Sequence, residues 1–423
     1  MGLQAQPKPA TVGKGDTAQV RLLNDQAKSY YYSNPDTAII LSGRANALAR
    51  KVQNQSGIAE SLNNIGKVYS LLGNYEKSIE YFLQSIEIAK KINDKKLIGS
   101  NLNNIGVDYY MQSNYTKALE YYLKALKEYE ALRDWLGVAA CYGNIGLVYT
   151  QQEDWKQALN FHSKALAIEE KLKSKQDIAM TLTNIGFTYQ RQGNYDKALN
   201  AYLQVNQTFK EVNNKIGLRI SLTNIAEIYL QEKNYEQALN YSNKALDVAK
   251  HIQDNEGICQ ALLVLVNIYQ QTKKYEDSKR FAIQAMTIAL KIGSKEIIER
   301  ASKALASNYK AQKNYAEALK YQELASATRD SIFSLQKTNL INSLQYDYEL
   351  EKKELEIRAL NQQKRLLHQQ QTIQAQQLSS QTLQRYALFI GLVYWLGWFL
   401  WYSESSGKRR NSPEEPGDDP AQG

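Results

Sequence analysis

Residues 61–94 have the sequence SLNNIGKVYSLLGNYEKSIEYFLQSIEIAKKIND, and this stretch decides the fold of the chain. Its first half carries apolar or small residues at the i, i+3, i+4, i+7 spacing of one helix face, namely Leu62, Ile65, Gly66 and Tyr69. The pair Gly73–Asn74 suits a left-handed turn that ends this helix. A second apolar face begins near Tyr75 and runs to Ile92. The stretch therefore predicts a hairpin of two helices.

The same pattern returns seven times without a break in register, at a period of about 40 residues. Three independent columns keep this register. They are Tyr69, Tyr109, Tyr149, Tyr189, Tyr229, Tyr269 and Tyr309; Tyr75, Tyr115, Trp155, Tyr195, Tyr235, Tyr275 and Tyr315; and the small residues Ser78, Ala118, Ala158, Ala198, Ala238, Ser278 and Ala318. Self-similarity at such a period is typical of solenoids, in which each unit buries its apolar face against the next. We predict an all-α array.

The pattern Leu-x2-Ile-Gly-x2-Tyr, followed by small residues such as Ala118 and Ala125, resembles the tetratricopeptide repeat. The resemblance implies a right-handed α-solenoid of stacked helical hairpins with a concave groove. Two features depart from the family. The period is about 40 rather than about 34 residues, and no proline lies between Pro35 and Pro413. Glu130 and other long residues stand where the family usually closes a repeat with proline.

The longer unit, with NNIG in its first helix, resembles the tetratricopeptide arrays of membrane-bound bacterial signalling proteins of the Bacteroidetes type. In that family the array is an extracytoplasmic input domain, followed by a coiled coil, one transmembrane helix and an output domain such as a histidine kinase. The resemblance implies a ligand-sensing input module. This chain carries no recognisable output domain.

The columns and the changes of composition predict six segments. They are an N-terminal segment that could be a signal-peptide remnant (1–15), a degenerate capping repeat (16–55), seven repeats (56–331), a long helix or coiled-coil stalk (332–385), a transmembrane helix (386–402) and a short polar tail (403–423). The capping repeat keeps Leu23, Ala27 and Tyr30 in the pattern with one residue lost. Terminal units of solenoids are commonly degenerate in this way.

The predicted stalk is free of Gly and Pro and rich in Glu, Lys, Leu and Gln. Its apolar residues follow coiled-coil spacing only in part, because Gln and Glu occupy several seam positions. A long helix is predicted, and both a solvated stalk and a parallel homodimer are compatible with it.

Tyr386–Tyr402, YALFIGLVYWLGWFLWY, is a run of 17 uncharged residues. As a helix it would extend about 25 Å, which is near the lower limit for crossing a bilayer. Lys408, Arg409 and Arg410 follow the run. The positive-inside rule then predicts a cytoplasmic tail and repeats on the other side of the membrane. Together with the family resemblance, this implies a single-pass protein of the bacterial inner membrane with periplasmic repeats.

The start of the chain, MGLQAQPKPA, lacks the charged and apolar regions of a secretion signal. Two explanations stay open. Either LQAQ is the end of a signal whose start is missing, or the protein is tail-anchored with cytoplasmic repeats.

Charge and motifs exclude several classes of function. The chain has 52 Lys and Arg and 43 Asp and Glu, which gives a net charge of +9. Because the basic residues are interleaved with acidic ones, we expect no nucleic-acid partner. Cys141 and Cys259 form no metal-binding pattern, and the three histidines stand far apart. Because no nucleotide-binding or hydrolase motif is present, we expect neither cofactor, metal nor enzymatic activity.

The candidate functional feature is a column of asparagines just before the Ile-Gly positions: Asn64, Asn104, Asn144, Asn184 and Asn224. Helix geometry places them beside the buried stripe, and in tetratricopeptide arrays this face lines the concave groove. An amide both donates and accepts, so it can pair with a peptide backbone of any sequence. The neighbours that vary between repeats would supply specificity; they are Lys67, Val107, Leu147, Phe187 and Glu227. In the alternative role, each asparagine bonds only the adjacent repeat.

The sequence thus predicts a membrane-anchored module that binds a peptide or protein. Two alternatives remain open: a sensor of the histidine kinase type that lacks its catalytic domain, and a cytoplasmic tail-anchored scaffold.

Overall fold

The computed structural model of the chain describes residues 14–31 and 33–408, and its regular elements within these ranges are all helices. The sixteen described helices are α1 (Lys14–Ser29), α2 (Pro35–Lys51), α3 (Gln55–Leu71), α4 (Tyr75–Lys91), α5 (Lys95–Met111), α6 (Tyr115–Leu132), α7 (Trp135–Gln151), α8 (Trp155–Leu172), α9 (Lys175–Arg191), α10 (Tyr195–Glu211), α11 (Lys215–Gln231), α12 (Tyr235–His251), α13 (Asn255–Gln271), α14 (Tyr275–Ile292), α15 (Lys295–Ala311) and α16 (Tyr315–Lys408).

Consecutive helices from α1 to α15 pack against one another along the chain. Most first helices also contact the first helix of the next hairpin, as α3 does with α5 and α13 with α15. The predicted all-α solenoid of helical hairpins is therefore confirmed. The hairpin numbers used below count α1–α2 as the first hairpin, so the seven clear repeats are hairpins two to eight.

The turns of the array recur at a constant interval, one within each hairpin and one between hairpins. From the turn after α2 to the turn after α15, each has one residue with positive φ, and three of these residues are glycines: Gly73, Gly193 and Gly293. The backbone N–H of Asn74 then donates to Tyr69 O at 2.9 Å, which closes the turn in the manner of a Schellman motif. The side chain of Asn74 in turn caps α4 by accepting from the backbone N–H of Lys77. Asn or Asp repeats this cap at most helix starts, which fixes where each helix begins.

The two helices of a hairpin approach closely at the small-residue column. The Ser78 hydroxyl donates to the carbonyl of Gly66 at 2.9 Å, and Ser278 donates to the carbonyl of Val266 at 3.1 Å. Ala118, in the same column, is fully buried. The sequence prediction that small residues allow this approach is thereby confirmed.

Hairpins two to five place an aromatic ring over a glycine of the first helix. A Cβ added at Gly66 would lie 2.7 Å from the Phe82 ring, and one at Gly106 would lie 2.5 Å from the Tyr122 ring. His162 covers Gly146 and Tyr202 covers Gly186 in the same way. We call this arrangement the glycine niche. These glycines are needed for space, since their φ angles are helical.

The last helix, α16, has 94 residues. The chain divides into two units, residues 1–344 and 345–423. Among the described residues, one helical stretch, 355–403, contains a window long and apolar enough to cross a membrane, and none of that window is buried. Aromatic pairs follow one another there, with ring centroids 5.7 Å apart for Trp395 and Phe399.

Parts of the sequence predictions fall outside the described residues. These are residues 1–13 of the N-terminal segment, residues 409–423 of the tail, and with them Arg409 and Arg410 of the topology argument. A coiled coil over 332–385 stays a prediction.

Candidate functional site

The asparagine column lies on the first helices of hairpins two to six, but its five members do not share one environment. Asn64 is buried, with 1% of its surface exposed. The other four are half-buried, and so they lie within reach of a ligand; they are Asn104, Asn144, Asn184 and Asn224.

Asn64 bonds the preceding hairpin. Its side-chain oxygen accepts from the Tyr31 hydroxyl, and its amide nitrogen donates to Asn24 Oδ1 at 3.2 Å. Both partners belong to the first hairpin or its turn. Asn64 therefore has the alternative role considered for the column, which is to hold adjacent repeats together.

Asn144 is paired in a similar way, because its amide nitrogen donates to Asn103 Oδ1 at 2.9 Å. Asn103 belongs to the preceding hairpin. Unlike Asn64, Asn144 stays half-exposed, so one side of its amide still faces outward.

Asn104 borders a cavity of about 350 Å³ that is also lined by Tyr31, Lys67, Leu71 and Val107. Its amide nitrogen is shielded from solvent and has no hydrogen-bond partner among the described residues. Burial, together with the nearby charge of Lys28, lowers the pKa of Lys67. Two hydrogen-bond donors that the described chain does not use therefore lie at this cavity, the Asn104 amide nitrogen and the Lys67 amino group.

Asn184 and Asn224 stand further along the array. Their side chains are half-buried, and in the described part of the chain neither amide forms a hydrogen bond. An unpaired amide at a half-buried position is a ready partner for a peptide group, since both its donor and its acceptor are available. These two residues best match the predicted role.

The five variable neighbours are also half-buried: Lys67, Val107, Leu147, Phe187 and Glu227. Lys67 and Val107 line the same cavity, so these two equivalent residues of consecutive hairpins face one space. Along this row the chemistry changes from basic through apolar to acidic. We call these residues, together with the asparagines from Asn104 to Asn224, the asparagine face.

Sequence reasoning missed two residues that support this face. The Tyr202 hydroxyl donates to Gln190 Oε1 at 2.9 Å, and the Gln190 side chain lies near enough to the Glu227 carboxylate to lower its pKa. Burial raises the pKa of Glu227, while the charge of Arg300 and the Gln190 side chain oppose this. The only available signal was the polar character of Gln190, which occupies the position of Ser70, Tyr110 and Thr150 in other repeats.

Polar pairs between hairpins were also missed. Ser70 donates to the Asp108 carboxylate, the hydroxyls of Thr150 and Thr188 lie 2.8 Å apart, and Gln270 donates to Asn308 Oδ1 at 2.9 Å. Each pair joins one first helix to the next, with a separation of 38 residues in sequence. Asp108 is fully buried, and this burial raises its pKa to about 7 against the bonds from Ser70 and Ser78.

The two thiols and the histidine at position 162 are buried. Burial raises the pKa of Cys141 to about 12 and that of Cys259 to about 11, so both remain protonated thiols near neutral pH. His162 is fully buried with both ring nitrogens unpaired within the described chain, and burial lowers its pKa to about 4. Among the described residues no group of three or more His, Cys, Asp or Glu could hold a metal ion.

The family model for the tetratricopeptide repeat matches residues 20–91, 97–171 and 177–251, which together exceed half of the chain. No curated protein matches the chain.

Several solved structures share the fold. A signal transduction ATPase with numerous domains and a tetratricopeptide repeat sensor, from Pyrococcus horikoshii, is 20% identical with a TM-score of 0.54; the match covers 76% of this chain and 49% of that protein. The quorum sensor NprR from B. thuringiensis is 18% identical with a TM-score of 0.56, over 74% of this chain and 87% of NprR. The Rap conjugation gene regulator of plasmid pLS20, in complex with the Phr* peptide, is 13% identical with a TM-score of 0.53, over 75% of this chain and 96% of the regulator. This chain thus spans about half the length of the ATPase.

Proposed function

The chain belongs to the tetratricopeptide repeat family, and from this premise we propose that its array binds an extended peptide or protein segment along the asparagine face. One observation carries the proposal: Asn184 and Asn224 present half-buried amides that no described residue satisfies. Unpaired polar groups at partly buried positions favour a partner that supplies the missing hydrogen bonds. The asparagine face would pair with the ligand backbone, while Val107, Leu147 and Phe187 would contact its side chains.

The solved relatives agree with this proposal. The pLS20 regulator was captured with a peptide, and NprR is a quorum sensor. Peptide recognition is thus compatible with an array of this length and fold.

We further propose that the array is the sensing part of a bacterial signalling system anchored in the inner membrane by residues 386–402. The exposed apolar window supports anchoring, because Leu388, Tyr394 and Trp401 each leave more than half of their surface uncovered. Periplasmic repeats and a cytoplasmic tail follow from the positive-inside rule. Protease digestion of the array in intact spheroplasts would support this orientation, whereas digestion only after lysis would favour the cytoplasmic scaffold.

Peptide binding is tested with the Asn184→Ala/Asn224→Ala variant of the full chain in detergent micelles. The probe is a positional-scanning library of nonapeptide amides, in which each pool fixes one residue at one position. Two amides contribute up to four hydrogen bonds of about 0.5–1.5 kcal/mol each, so we expect affinity for the best pools to fall at least about tenfold. The thermal melt should hardly change, because neither amide has a partner in the described chain.

Asn64→Ala is the matched control. Its amide bonds Tyr31 and Asn24, so this variant should melt at a lower temperature and keep its peptide affinity. Unchanged affinity in a folded Asn184→Ala/Asn224→Ala protein would contradict the proposed role of the face.

A further inference from the structure

Glu227 is the acidic member of the row of variable neighbours, and its carboxylate has no paired cation in the described part of the chain. It is half-buried on α11 and, in the described part of the chain, forms no ion pair within 4.0 Å. Arg300 acts on it only through space. A carboxylate removed from water without a paired cation is unfavourable, so this position favours a ligand that brings a positive charge.

A relay that begins at a buried tyrosine defines the surroundings of this carboxylate. Tyr202 fills the glycine niche over Gly186 and is 1% exposed, so its ring has little freedom. Its hydroxyl donates to Gln190 Oε1, which orients the Gln190 amide towards Glu227. Glu227 therefore keeps a defined position and still has acceptor capacity, because a carboxylate can accept about four hydrogen bonds.

Phe187 stands at the position of the preceding hairpin that is equivalent to Glu227. Phe187 and Glu227 are equivalent residues of consecutive hairpins, as Lys67 and Val107 are, and that earlier pair lines one cavity. Phe187 is half-buried, so part of its ring is open to a ligand. A carboxylate with a neighbouring ring binds guanidinium and ammonium groups, through charge-assisted hydrogen bonds and cation–π contact.

We propose that Phe187, Gln190 and Glu227 form a subsite for a positively charged group of the bound peptide, either an Arg or Lys side chain or the amino terminus. The inference rests on the proposed peptide-binding function. The opposite end of the row carries Lys67, whose positive charge repels a cation. The ligand is thus bound in one direction, with its basic group at the fifth and sixth hairpins.

The test compares the full-length wild type, Glu227→Gln and Glu232→Gln in detergent micelles. Glu232 is an exposed residue at the end of the same helix, so its variant has the same change of net charge. The probes are N-acetylated nonapeptide pools with Arg, Lys, norleucine or Glu fixed at each position, and matching pools with a free amino terminus and no basic residue. Circular dichroism melts verify that each variant is folded.

We expect the wild type and Glu232→Gln to prefer Arg or Lys over norleucine at one position by about tenfold or more, and Glu227→Gln to lose this preference. A preference confined to the free-amino pools and lost in Glu227→Gln would identify the amino terminus as the cation. Phe187→Leu should reduce the same preference, because it removes the aromatic face that a cation would contact.

Two results would overturn the inference. One is a wild type that binds the pools without a basic preference; the other is a basic preference that Glu227→Gln retains. In both, the proposed peptide binding itself would survive. If no pool binds any form of the protein, the proposed function fails and the subsite fails with it.

Discussion

Hairpins two to five and hairpins six and seven use the same backbone but distribute side-chain volume in opposite ways. In the earlier region, the glycines at 66, 106, 146 and 186 face large rings. In the later region, Ala226 and Val266 stand at the glycine position, and Ser242 and Ala282 stand where the rings would be. The helices stay equally close, since the bond from Ser78 to Gly66 is 2.9 Å and that from Ser278 to Val266 is 3.1 Å. The contact therefore keeps its spacing while the larger side chain moves from the second helix in Gly66 with Phe82 to the first helix in Val266 with Ala282.

The replacement of a ring by serine or alanine in the later hairpins affects the asparagine face. A ring in the niche reaches the first helix, where Tyr202 orients Gln190 and Phe82 lines the cavity beside Asn104. A serine or alanine at the same place is too short to do so. Val264, which ends the asparagine column, is buried in the hydrophobic cluster of the later region. Packing and candidate binding chemistry thus change together near the sixth hairpin.

The largest expected effect comes from converting the second hairpin to the later type. Phe82→Ala alone should reduce the free energy of unfolding by about 3–5 kcal/mol, because it leaves a cavity. Gly66→Val alone should be destabilising by about 1–3 kcal/mol through the clash with Phe82. The Gly66→Val/Phe82→Ala double variant reproduces the pair Val266 and Ala282 of the seventh hairpin. Its loss of unfolding free energy should therefore be well below the sum of the losses in the two single variants. Urea unfolding of all four proteins measures this coupling; strictly additive costs would show that volume is not exchanged at this contact.

The second prediction concerns Asp108, whose equivalents in the later region are Ile228 and Ile268. Its pKa is raised from 3.8 to about 7 in the folded state, so folding favours the protonated acid. Wild-type stability should therefore fall as pH rises from about 4 to 7, and Asp108→Asn should not share this loss. The difference should be near zero at pH 4 and reach about 4 kcal/mol above pH 7.

Denaturant midpoints measured at several pH values check this prediction. Asp247→Asn, the same substitution at an exposed site, is the control. A constant offset between wild type and Asp108→Asn at every pH would contradict the raised pKa.

The smallest of the three effects should come from His162, which fills the niche with a ring that can be charged. Its pKa falls from 6.5 to about 4 on folding, so its contribution to stability is fully present above pH 6.5 and is lost as pH falls towards 4. His162→Phe should abolish this loss, with a gain of about 3 kcal/mol over wild type near pH 4. The exposed His251→Phe variant should show no such gain. Thermal melts at pH 4 and pH 7 distinguish the two; equal behaviour of both variants would exclude the proposed role of burial.

The helical hairpins could be predicted from sequence because period and columns report directly on packing. The pair Gly73–Asn74 predicted the end of α3, and the structure ends that helix at Leu71. The asparagine column was predicted as one uniform row, and here sequence was insufficient. Asn64 differs from Asn184 because its partners, Tyr31 and Asn24, lie in the degenerate first hairpin, where the register is shifted by one residue.

The relay from Tyr202 through Gln190 to Glu227 was also beyond sequence reasoning. It links three helices through side-chain rotamers, and helix periodicity carries no information on rotamers.

The uniform turns have an evolutionary consequence. Since the turn within a hairpin and the turn between hairpins share the same left-handed residue and polar cap, a duplication or deletion of one full period joins compatible ends. Such an event adds or removes one whole hairpin, and the helices on either side are still joined by a turn of the same kind. The length of the array can therefore change in discrete steps by recombination between its own copies. Under the proposed function, such steps would change the length of ligand that the array binds, and point substitutions in the row of variable neighbours would change which ligand is preferred.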